Sequence, residues 1–390
     1  MIAVLTTLVS ASMISWVDDQ KPNTLTKEEI AQGWILLFDG ETTFGWKTTG
    51  DVAVENGELV IGAAKDSTID CTTTFGAGKL RFEYRIDVEP VGSLLINGEN
   101  AGTGNPADKG EWRSFDHDFD QGRVRMGVTI PSGGKSRLRS IAFLPSGGKP
   151  IFDGKTLEGW KEIPGKKSKF TVTPEGWINV KDGNGDLQTV EQWDDFVYQM
   201  EIISNGKHLN SGVFYRAIPD EFWSGYESQI RNEWITDLKL KDGTKVSGSY
   251  TDKGDMATVQ ACKKANREGT NWIPARDVKT LKKNDIAEVV DFRNRPVDIG
   301  TGGIYNRQPA RKVVPSDNEW FTMTIVAVGN HHSVWVNGYQ TADYDDNARP
   351  AKSARNGRKD EKGVISLQGH DPTTDLSFRN IRIAAVPKGS

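Results

Sequence analysis

The sequence has little cysteine and no concentration of positive charge. Its 390 residues contain two cysteines, Cys71 and Cys262, which lie far apart and have no metal-ligand spacing. Two thiols are too few for a disulfide framework. A single disulfide bridge is an alternative, but we favour two unpaired, buried thiols. Lys and Arg are scattered, and the formal net charge is -4. The sequence contains no basic stripe that could neutralise a row of phosphates, so it does not predict nucleic-acid binding.

Long hydrophobic runs are missing as well. The apolar run at residues 2–9 is too short for a membrane-spanning helix, and no other segment is apolar enough. Small residues follow it at Ser10, Ala11 and Ser12, as in a secretory signal peptide, although no positively charged region precedes it. We therefore predict a signal segment over residues 1–20, no membrane span, and an exported protein that is periplasmic or extracellular.

Glycine and tryptophan, by contrast, are abundant. The chain has 41 Gly, which indicate many tight turns, and 12 Trp. A Trp side chain is a common surface for stacking against a sugar ring, but for any single Trp a place in the core is the more common role.

Three motifs occur twice in the chain and in the same order. They are LFDGETTFGWK (37–47) and IFDGKTLEGWK (151–161), GEWRSFDHDF (110–119) and NEWFTMTIVA (318–327), and RLRSIAFLP (137–145) and SFRNIRIAAVP (377–387). Such repeats indicate two copies of one structural unit. We predict a short, degenerate β-sandwich domain over residues 33–145 and a full domain over residues 149–387, joined by a Gly-Gly turn.

The second copy is the longer one. It carries an additional stretch of roughly 80 residues before NEW, well beyond a normal loop. This stretch includes the charged residues 238–283 and the segment 298–306. Because long loops on a rigid sandwich commonly carry functional sites, we expect the site in the second copy.

Alternating apolar and polar residues predict strands in both copies. Residues 79–88 alternate in this way, and residues 321–338 predict a hairpin that turns at Gly329 and Asn330. Helical periodicity is confined to short pieces such as residues 26–33. Short strands with Gly-rich turns predict an all-β protein with two antiparallel β-sandwich (jelly-roll) domains in tandem.

The segment LNSGVFYRAIPDEFWSGYESQIRNEW (209–234) places polar residues at alternate positions of two strands. Alternate side chains of a strand share a face. If the strands pair through the loop 217–225, one face carries Asn210, Gly212, Phe214, Arg216, Glu227, Gln229 and Arg231, with Trp223 of the loop beside it. Gly212 would leave room for a ligand against the sheet. We therefore predict a concave polar cleft.

An ordinary cross-strand ion pair between Arg216 and Glu227 is the competing interpretation. The first copy argues against it, because the aligned segment has Val91 in place of Asn210 and Asn97 in place of Arg216. The same fold is thus built without the polar row. A role in function is therefore favoured over a role in folding.

A series of motifs in the second copy matches a known family. In chain order they are FDGKTLEGW, NSGVFYR, GYESQI, GGIYN, NEW with WVNG, GVISLQGH and FRNIRI. With these motifs the chain resembles the 3-keto-disaccharide hydrolase domain family, and the first copy resembles a shortened version of it. The resemblance implies a concanavalin-like jelly roll and the cleavage of glycosides whose sugar carries a ketone at the third carbon. A base removes the hydrogen beside the ketone, the enolate is stabilised, the aglycone leaves and water adds to the enone.

The resemblance also implies roles for the polar residues. Glu227 is expected to act as the base, and Arg216 and Asn210 to stabilise the enolate. His370, near a Gly-flanked strand end, would protonate the leaving group, although a lone His is more commonly a surface residue. The remaining candidates are expected to bind the sugar: Phe214, Trp223, Gln229 and Arg231. No cofactor is certain, and a divalent metal bound by Glu227 and His370 in place of Arg216 is a minor alternative.

Two other functions stay open at this point. The same cleft would serve a non-catalytic, lectin-like carbohydrate-binding protein, and the first copy could be the contact domain of a cell-surface protein. Hydrolysis by paired carboxylates is less attractive, because on a regular strand Glu227 and Glu233 lie roughly 20 Å apart, whereas a retaining pair needs about 5 Å.

Overall fold

The structure is a computed structural model that describes residues 21–240, 245–250, 289–349, 359 and 361–389. The predicted signal segment, Cys262 and most of the stretch 238–283 lie outside the described residues, as do the side chains of residues 235–250 and 289–295. Within the described part, no helix is both long enough and apolar enough to cross a membrane.

One α-helix, α1 (Lys27–Gln32), is present in the described residues, as predicted for residues 26–33. Thr26 caps it: the Thr26 hydroxyl accepts from the backbone N–H of Glu29, and the Glu29 carboxylate accepts from the N–H of Thr26. Gly33 ends the helix with a φ of 102°. A 3₁₀ turn, η1 (Pro106–Asp108), interrupts the strands of the first copy.

The first sandwich contains strands β1 to β11. In chain order these are β1 (Ile35–Leu36), β2 (Trp46–Thr49), β3 (Val52–Glu55), β4 (Glu58–Ile61), β5 (Ser67–Cys71), β6 (Gly78–Val88), β7 (Ser93–Ile96), β8 (Glu99–Thr103), β9 (Arg113–Phe119), β10 (Met126–Ile130) and β11 (Lys135–Pro145). One sheet has the order β3-β4-β11-β6-β9, with β1 paired to β11, and the other has the order β2-β5-β10-β7-β8.

The rest of the described chain contains strands β12 to β27. In chain order these are β12 (Lys149–Pro150), β13 (Trp160–Glu162), β14 (Lys169–Val172), β15 (Ile178–Lys181), β16 (Gly185–Thr189), β17 (Phe196–Ser204), β18 (Ser211–Ala217), β19 (Tyr226–Ile230), β20 (Trp234–Leu240), β21 (Lys245–Tyr250), β22 (Val289–Pro296), β23 (Phe321–Val328), β24 (His331–Val336), β25 (Tyr339–Asp345), β26 (Val364–Gly369) and β27 (Asp375–Ala385).

These strands form the second sandwich and a small additional sheet. The sheets of the second sandwich have the orders β14-β15-β27-β17-β23-β24-β25, with β12 paired to β27, and β13-β16-β26-β18-β19. The strands β21-β20-β22 make the additional three-stranded sheet. All these pairings are antiparallel. The prediction of an all-β protein with two antiparallel sandwiches in tandem is therefore confirmed.

The FDG motif forms the same turn at the start of both sandwiches. Asp39 Oδ1 accepts hydrogen bonds from the backbone N–H groups two and three residues further on, at 2.8 and 2.7 Å. Asp153 Oδ1 accepts the two corresponding bonds, both at 2.8 Å. The Trp near the end of each motif, Trp46 or Trp160, donates its indole N–H to the carbonyl of the first motif residue, at 2.6 and 2.8 Å. The repeated letters thus have a common structural cause.

The two sandwiches share buried surface. The core between the sheets of the first sandwich includes Phe75 and the free, buried thiol of Cys71. Val326 and Trp335, from the outer face of the second sandwich, pack into that same core. The rings of Phe75 and Trp335 are 5.8 Å apart between centroids, and the Trp335 indole donates to the carbonyl of Leu36 at 2.8 Å. Side chains of the second sandwich thus cover one end of the hydrophobic core of the first.

A polar cluster lies beside this shared core. His331 Nδ1 is 2.7 Å from Asp345 Oδ1, and His331 Nε2 is 3.0 Å from Asp343 Oδ1. Asp343 Oδ1 also accepts from the hydroxyl of Thr72 in the first sandwich, at 3.0 Å. Burial alone would lower the pKa of His331, but the hydrogen bonds and charges of the two aspartates raise it above its ordinary value.

Candidate functional site

Strands β18 and β19 form an antiparallel hairpin, as the alternation in residues 209–234 predicts. Gly212 lies opposite Gln229, and Phe214 lies opposite Glu227. The intervening Val213 belongs to the core between the two sheets. The alternate residues of both strands therefore face away from the core, on the outer surface of the sheet.

Two further strands extend this surface beyond the hairpin. Strand β26 lies between β16 and β18, and its register places Ser366 beside Phe214 and Gln368 beside Asp186. The result is three rows of side chains, which together we call the polar face. The first row is Gln188–Ser366–Phe214–Glu227, and the middle row is Asp186–Gln368–Gly212–Gln229. The far row, which follows from continuing the same register by two residues, is His370–Asn210–Arg231.

Glu227 leans across the backbone of Gly212. A Cβ atom on Gly212 would lie 2.6 Å from Glu227 Oε1 and 2.7 Å from its Cγ. The expectation that Gly212 leaves room for a ligand is therefore wrong, because Glu227 itself fills the room. Glu227 is only 6% exposed, and its side chain extends from the edge strand β19 over β18, toward the middle of the polar face.

The loop between β18 and β19 folds over the polar face. The backbone N–H of Trp223 donates to Asp186 Oδ2, and that of Asp220 donates to Gln188 Oε1, both at 2.9 Å. Trp223 has a φ of 56°, which a bulky side chain rarely adopts. The contacts with β16 therefore hold the indole in place against the preference of its own backbone.

Phe214 and His370 flank Trp223. Phe214 is 1% exposed in a small apolar cluster against which Trp223 packs, so it supports the indole instead of lining the cleft as predicted. The ring of His370 lies nearly parallel to the Trp223 ring, with centroids 5.9 Å apart. His370 Nδ1 is 3.0 Å from Asp371 Oδ2, which orients the imidazole.

The far row is held by a second set of polar contacts. Gln229 donates through Nε2 to Asn210 Oδ1 at 3.3 Å. Arg231 donates through Nε and Nη2 to Glu233 Oε2, at 3.0 and 2.6 Å. His208 Nδ1 lies 3.3 Å from Glu233 Oε1, and burial lowers the pKa of His208. Asn210, Gln229 and Arg231 therefore lie together, as the sequence predicts.

Arg216 does not lie on the polar face. A bulge breaks the register between β18 and β26 after Phe214, and Arg216 has a φ of 48°. Ala217 packs with Phe214 on the outer side of the sheet, whereas unbroken alternation would place Ala217 in the core and Arg216 outside. The bulge therefore turns Arg216 to the side opposite Glu227.

The guanidinium of Arg216 is buried at one end of the second sandwich. Its Nη2 lies 3.0 Å from Asp195 Oδ1, an ion pair in which the Arg216 side chain is 1% exposed. Its other hydrogen bonds go to the backbone carbonyls of Asp194, Gly329 and Lys359. None goes to Glu227. The prediction that Arg216 shares a face with Glu227, and with it the role of Arg216 in stabilising the enolate, is wrong, and the competing interpretation of an Arg216–Glu227 ion pair is not realised either.

Among the amide and hydroxyl groups of the polar face, three buried oxygen atoms have no hydrogen-bond partner within the described residues. They are Gln229 Oε1, Ser366 Oγ and Gln368 Oε1. Buried polar groups in folded proteins are normally paired, and an unpaired one costs about 1–3 kcal/mol. All three oxygens can accept hydrogen bonds, so their positions suit a ligand that donates hydrogen bonds from several hydroxyl groups.

Sequence reasoning missed the contribution of β16 and β26. Asp186 and Gln188 flank Leu187, and Ser366 and Gln368 flank Leu367, so both strands carry the same alternation that identified the hairpin. That signal was present in the sequence. The order of strands in the sheet, which puts them beside β18, was not.

A metal site is not evident in the described part of the chain, where no three His, Cys, Asp or Glu side chains are grouped to hold an ion. Glu227 and His370 belong to rows two steps apart and to strands separated by β18.

Comparison with known families identifies one match. The family model described as 3-keto-alpha-glucoside-1,2-lyase-like domain matches residues 147–276 and 276–384. Among curated proteins, none matches the sequence.

Several solved structures are similar in fold. A "putative glycosyl hydrolase" from Parabacteroides distasonis has 19% identity and a TM-score of 0.39, covering 62% of this chain and 94% of its own. The carbohydrate binding module CBM66 from Bacillus subtilis has 12% identity and a TM-score of 0.31, with coverages of 58% and 96%. The exoplasmic domain of VIP36, in a Ca²⁺/Man3GlcNAc-bound form, has 9% identity and a TM-score of 0.31, with coverages of 63% and 92%.

Proposed function

Because the chain belongs to the 3-keto-alpha-glucoside-1,2-lyase-like domain family, we propose that it cleaves the glycosidic bond of 3-keto-glycosides or closely related glycosides. The observation that supports this most directly is the position of Glu227. Its carboxylate is buried, lies over Gly212, and is directed to the middle of the polar face, where the amides of Gln229 and Gln368 are its neighbours. A solvated surface carboxylate would have no reason to be placed in this way.

In this proposal Glu227 is the general base. The ketone at the third carbon acidifies the hydrogen on the second carbon, and Glu227 removes that proton. The electron pair forms an enolate and then expels the aglycone oxygen from the first carbon, giving an enone to which water adds. His370, held by Asp371 beside Trp223, protonates the departing oxygen.

The remaining polar residues bind the sugar. Gln229, Ser366 and Gln368 supply the acceptors without partners, which take hydrogen bonds from sugar hydroxyls. The enolate requires donors, and since Arg216 faces elsewhere we assign them to Asn210 and to Arg231 in the far row. Trp223 provides an aromatic surface beside them.

A non-catalytic carbohydrate-binding protein is the second candidate. It is favoured by the same unpartnered acceptors, because they would bind hydroxyls whether or not a bond is broken. In either case we propose a carbohydrate ligand, and an exported location remains part of the proposal.

The two candidates differ in the consequence of Glu227→Gln. We expect this variant to lose about 100-fold or more in turnover of a 3-keto-glucoside while binding it nearly as well as wild type. The matched control is Glu191→Gln, at an exposed position, which should leave both quantities unchanged. If the wild-type protein binds glycans and releases no product from any 3-keto-glucoside, the binding function replaces the enzymatic one.

A further inference from the structure

Each sandwich has a groove on its outer face, and the two grooves are lined by corresponding residues. Glu83 of β6 pairs with Arg139 of β11, and Glu201 of β17 pairs with Arg379 of β27. In both pairs Arg Nε donates to the Glu carboxylate, at 2.9 and 2.8 Å. The two sheets therefore carry the same Glu–Arg element at the same place.

The walls of the grooves correspond as well. The residue after each Arg has a left-handed backbone: φ is 53° at Ser140 and 51° at Asn380. The turns that lead into β4 and β15 contain Gly57 and Gly176, with φ of 81° and 80°. The glycine of each FDG motif completes the wall. We call the groove at Ser140 the first groove and the groove at Asn380 the second groove.

The first groove is filled by the chain itself. Residues 21–26, which we call the strap, precede α1, and the side chain of Asn23 inserts into the groove. Asn23 Nδ2 donates to the carbonyl of Gly57 at 2.7 Å, and Asn23 Oδ1 accepts from the N–H of Ser140 at 2.8 Å. A Cβ on Gly40 would come within 2.7 Å of Asn23 Nδ2, so the fit is close.

The second groove is open. Gly154, Gly176, Glu201 and Asn380 line a cavity of about 440 Å³ at this place. A Cβ on Gly154 would meet no atom nearer than 3.7 Å, in contrast to the close contact at the corresponding glycine of the first groove. This volume lies in the range of ordinary ligand sites, roughly 300–1,000 Å³.

The connection between the sandwiches explains why the second groove is open. In the first sandwich, residues 21–34 precede β1 and are free to lie across the sheet. In the second, β11 ends at Pro145 and β12 begins at Lys149, so three residues separate the strands. The chain has no length there from which a second strap could be made.

We propose that the second groove is a docking site for an extended peptide segment of a partner protein, and that the segment inserts an asparagine side chain as the strap does. The groove differs from the first in having Trp177 on its wall, with an edge-to-face contact to Trp320 at 4.9 Å. The partner segment therefore presents an apolar side chain next to its asparagine. A peptide is favoured over a sugar because a peptide occupies the corresponding groove.

The probe is a fluorescent peptide with the sequence of residues 21–33, KPNTLTKEEIAQG, and anisotropy is measured with the whole protein. We expect saturable binding that weakens about tenfold when the peptide asparagine is replaced by alanine, because its partners are then left unpaired. Asn380→Gly should also weaken binding without straining the backbone, because it removes the side chain at the position where, in the first groove, Ser140 Oγ accepts from the backbone N–H of Asn23 at 3.4 Å. The matched control is Ser140→Gly, which alters the first groove and should leave peptide affinity unchanged.

A photo-reactive group in place of the peptide leucine locates the site. Cross-links to residues 174–177 or 379–382 are expected. The proposal is overturned if no saturable binding occurs up to about 1 mM, if the alanine peptide binds equally well, or if cross-links map to the first sandwich. It is also overturned in favour of a sugar if neutral glycans displace the peptide, and in favour of a second copy if the protein alone forms dimers that Asn380→Gly dissociates.

Discussion

The carboxylate of Glu227 lies over the backbone of Gly212, at a distance where a single methyl group would collide with it. A Cβ on Gly212 would be 2.6 Å from Glu227 Oε1. The absence of a side chain on one strand thus determines where the carboxylate of the neighbouring strand points. The geometry of the polar face depends on this pair.

Gly212→Ala should therefore reduce catalysis without removing any functional group. The new methyl group displaces the Glu227 carboxylate, and a displacement of about 1 Å at a catalytic group costs up to roughly 100-fold in kcat/KM. Gly102→Ala is the control, since a Cβ there meets no atom within 4 Å. Unchanged kcat/KM for Gly212→Ala, measured on a 3-keto-glucoside, would contradict the assignment of Glu227.

Arg216→Met should destabilise the fold and spare substrate affinity. The change leaves the Asp195 carboxylate, whose side chain is only 11% exposed, without its cation, and breaking such a pair typically costs about 3–5 kcal/mol. Urea denaturation followed by tryptophan fluorescence measures the loss. Lys169→Met removes an exposed ion pair and should leave the urea midpoint unchanged. A stable Arg216→Met protein with raised KM would restore Arg216 to the site.

The stability of the contact between the sandwiches should depend on pH through His331. Its pKa in the folded state is raised by Asp343 and Asp345, so its contribution is fully present below the unfolded value of about 6.5. The contribution is lost as the pH rises through the folded-state pKa. The difference in unfolding free energy between wild type and His331→Gln should therefore shrink between pH 6 and pH 9. A difference that grows with pH would contradict this arrangement.

Cys71 should be unreactive in the folded protein. It is buried in the first core, and burial raises the pKa of its thiol to about 12. In a Cys262→Ser background, a thiol reagent at about pH 8 should label nothing until denaturant is added. Rapid labelling of the native protein would show that the first core opens.

Local alternation made much of the fold predictable. The hairpin at Gly329, the pairing of residues 209–234 and the short helix before β1 follow from the spacing of apolar residues. The FDG motif occurs twice in the sequence, and both copies form the same turn. These features depend on neighbouring residues, which a sequence displays directly.

The site was only partly predictable, because a single bulge changes which face a residue occupies. Alternation of side chains along β18 predicts Arg216 on the polar face. The bulge at its positive φ turns the Arg216 side chain to the opposite side of the sheet. The aligned Asn97 of the first sandwich has a φ of 56°, and asparagine tolerates that conformation well. Its presence there was the available signal. The contribution of Ser366 required the order of strands in the sheet, which alternation does not encode.

The packing of Val326 and Trp335 into the first sandwich constrains how this chain could have evolved. Once the back of the second unit became part of the interior of the first, substitutions on either side had to remain compatible with the other. The first sandwich folds without the polar row of the second, but its deletion would expose the Trp335 indole and Val326 to water. Recombination between homologous genes at the short linker would encounter the same barrier, so we expect the two halves to be inherited together.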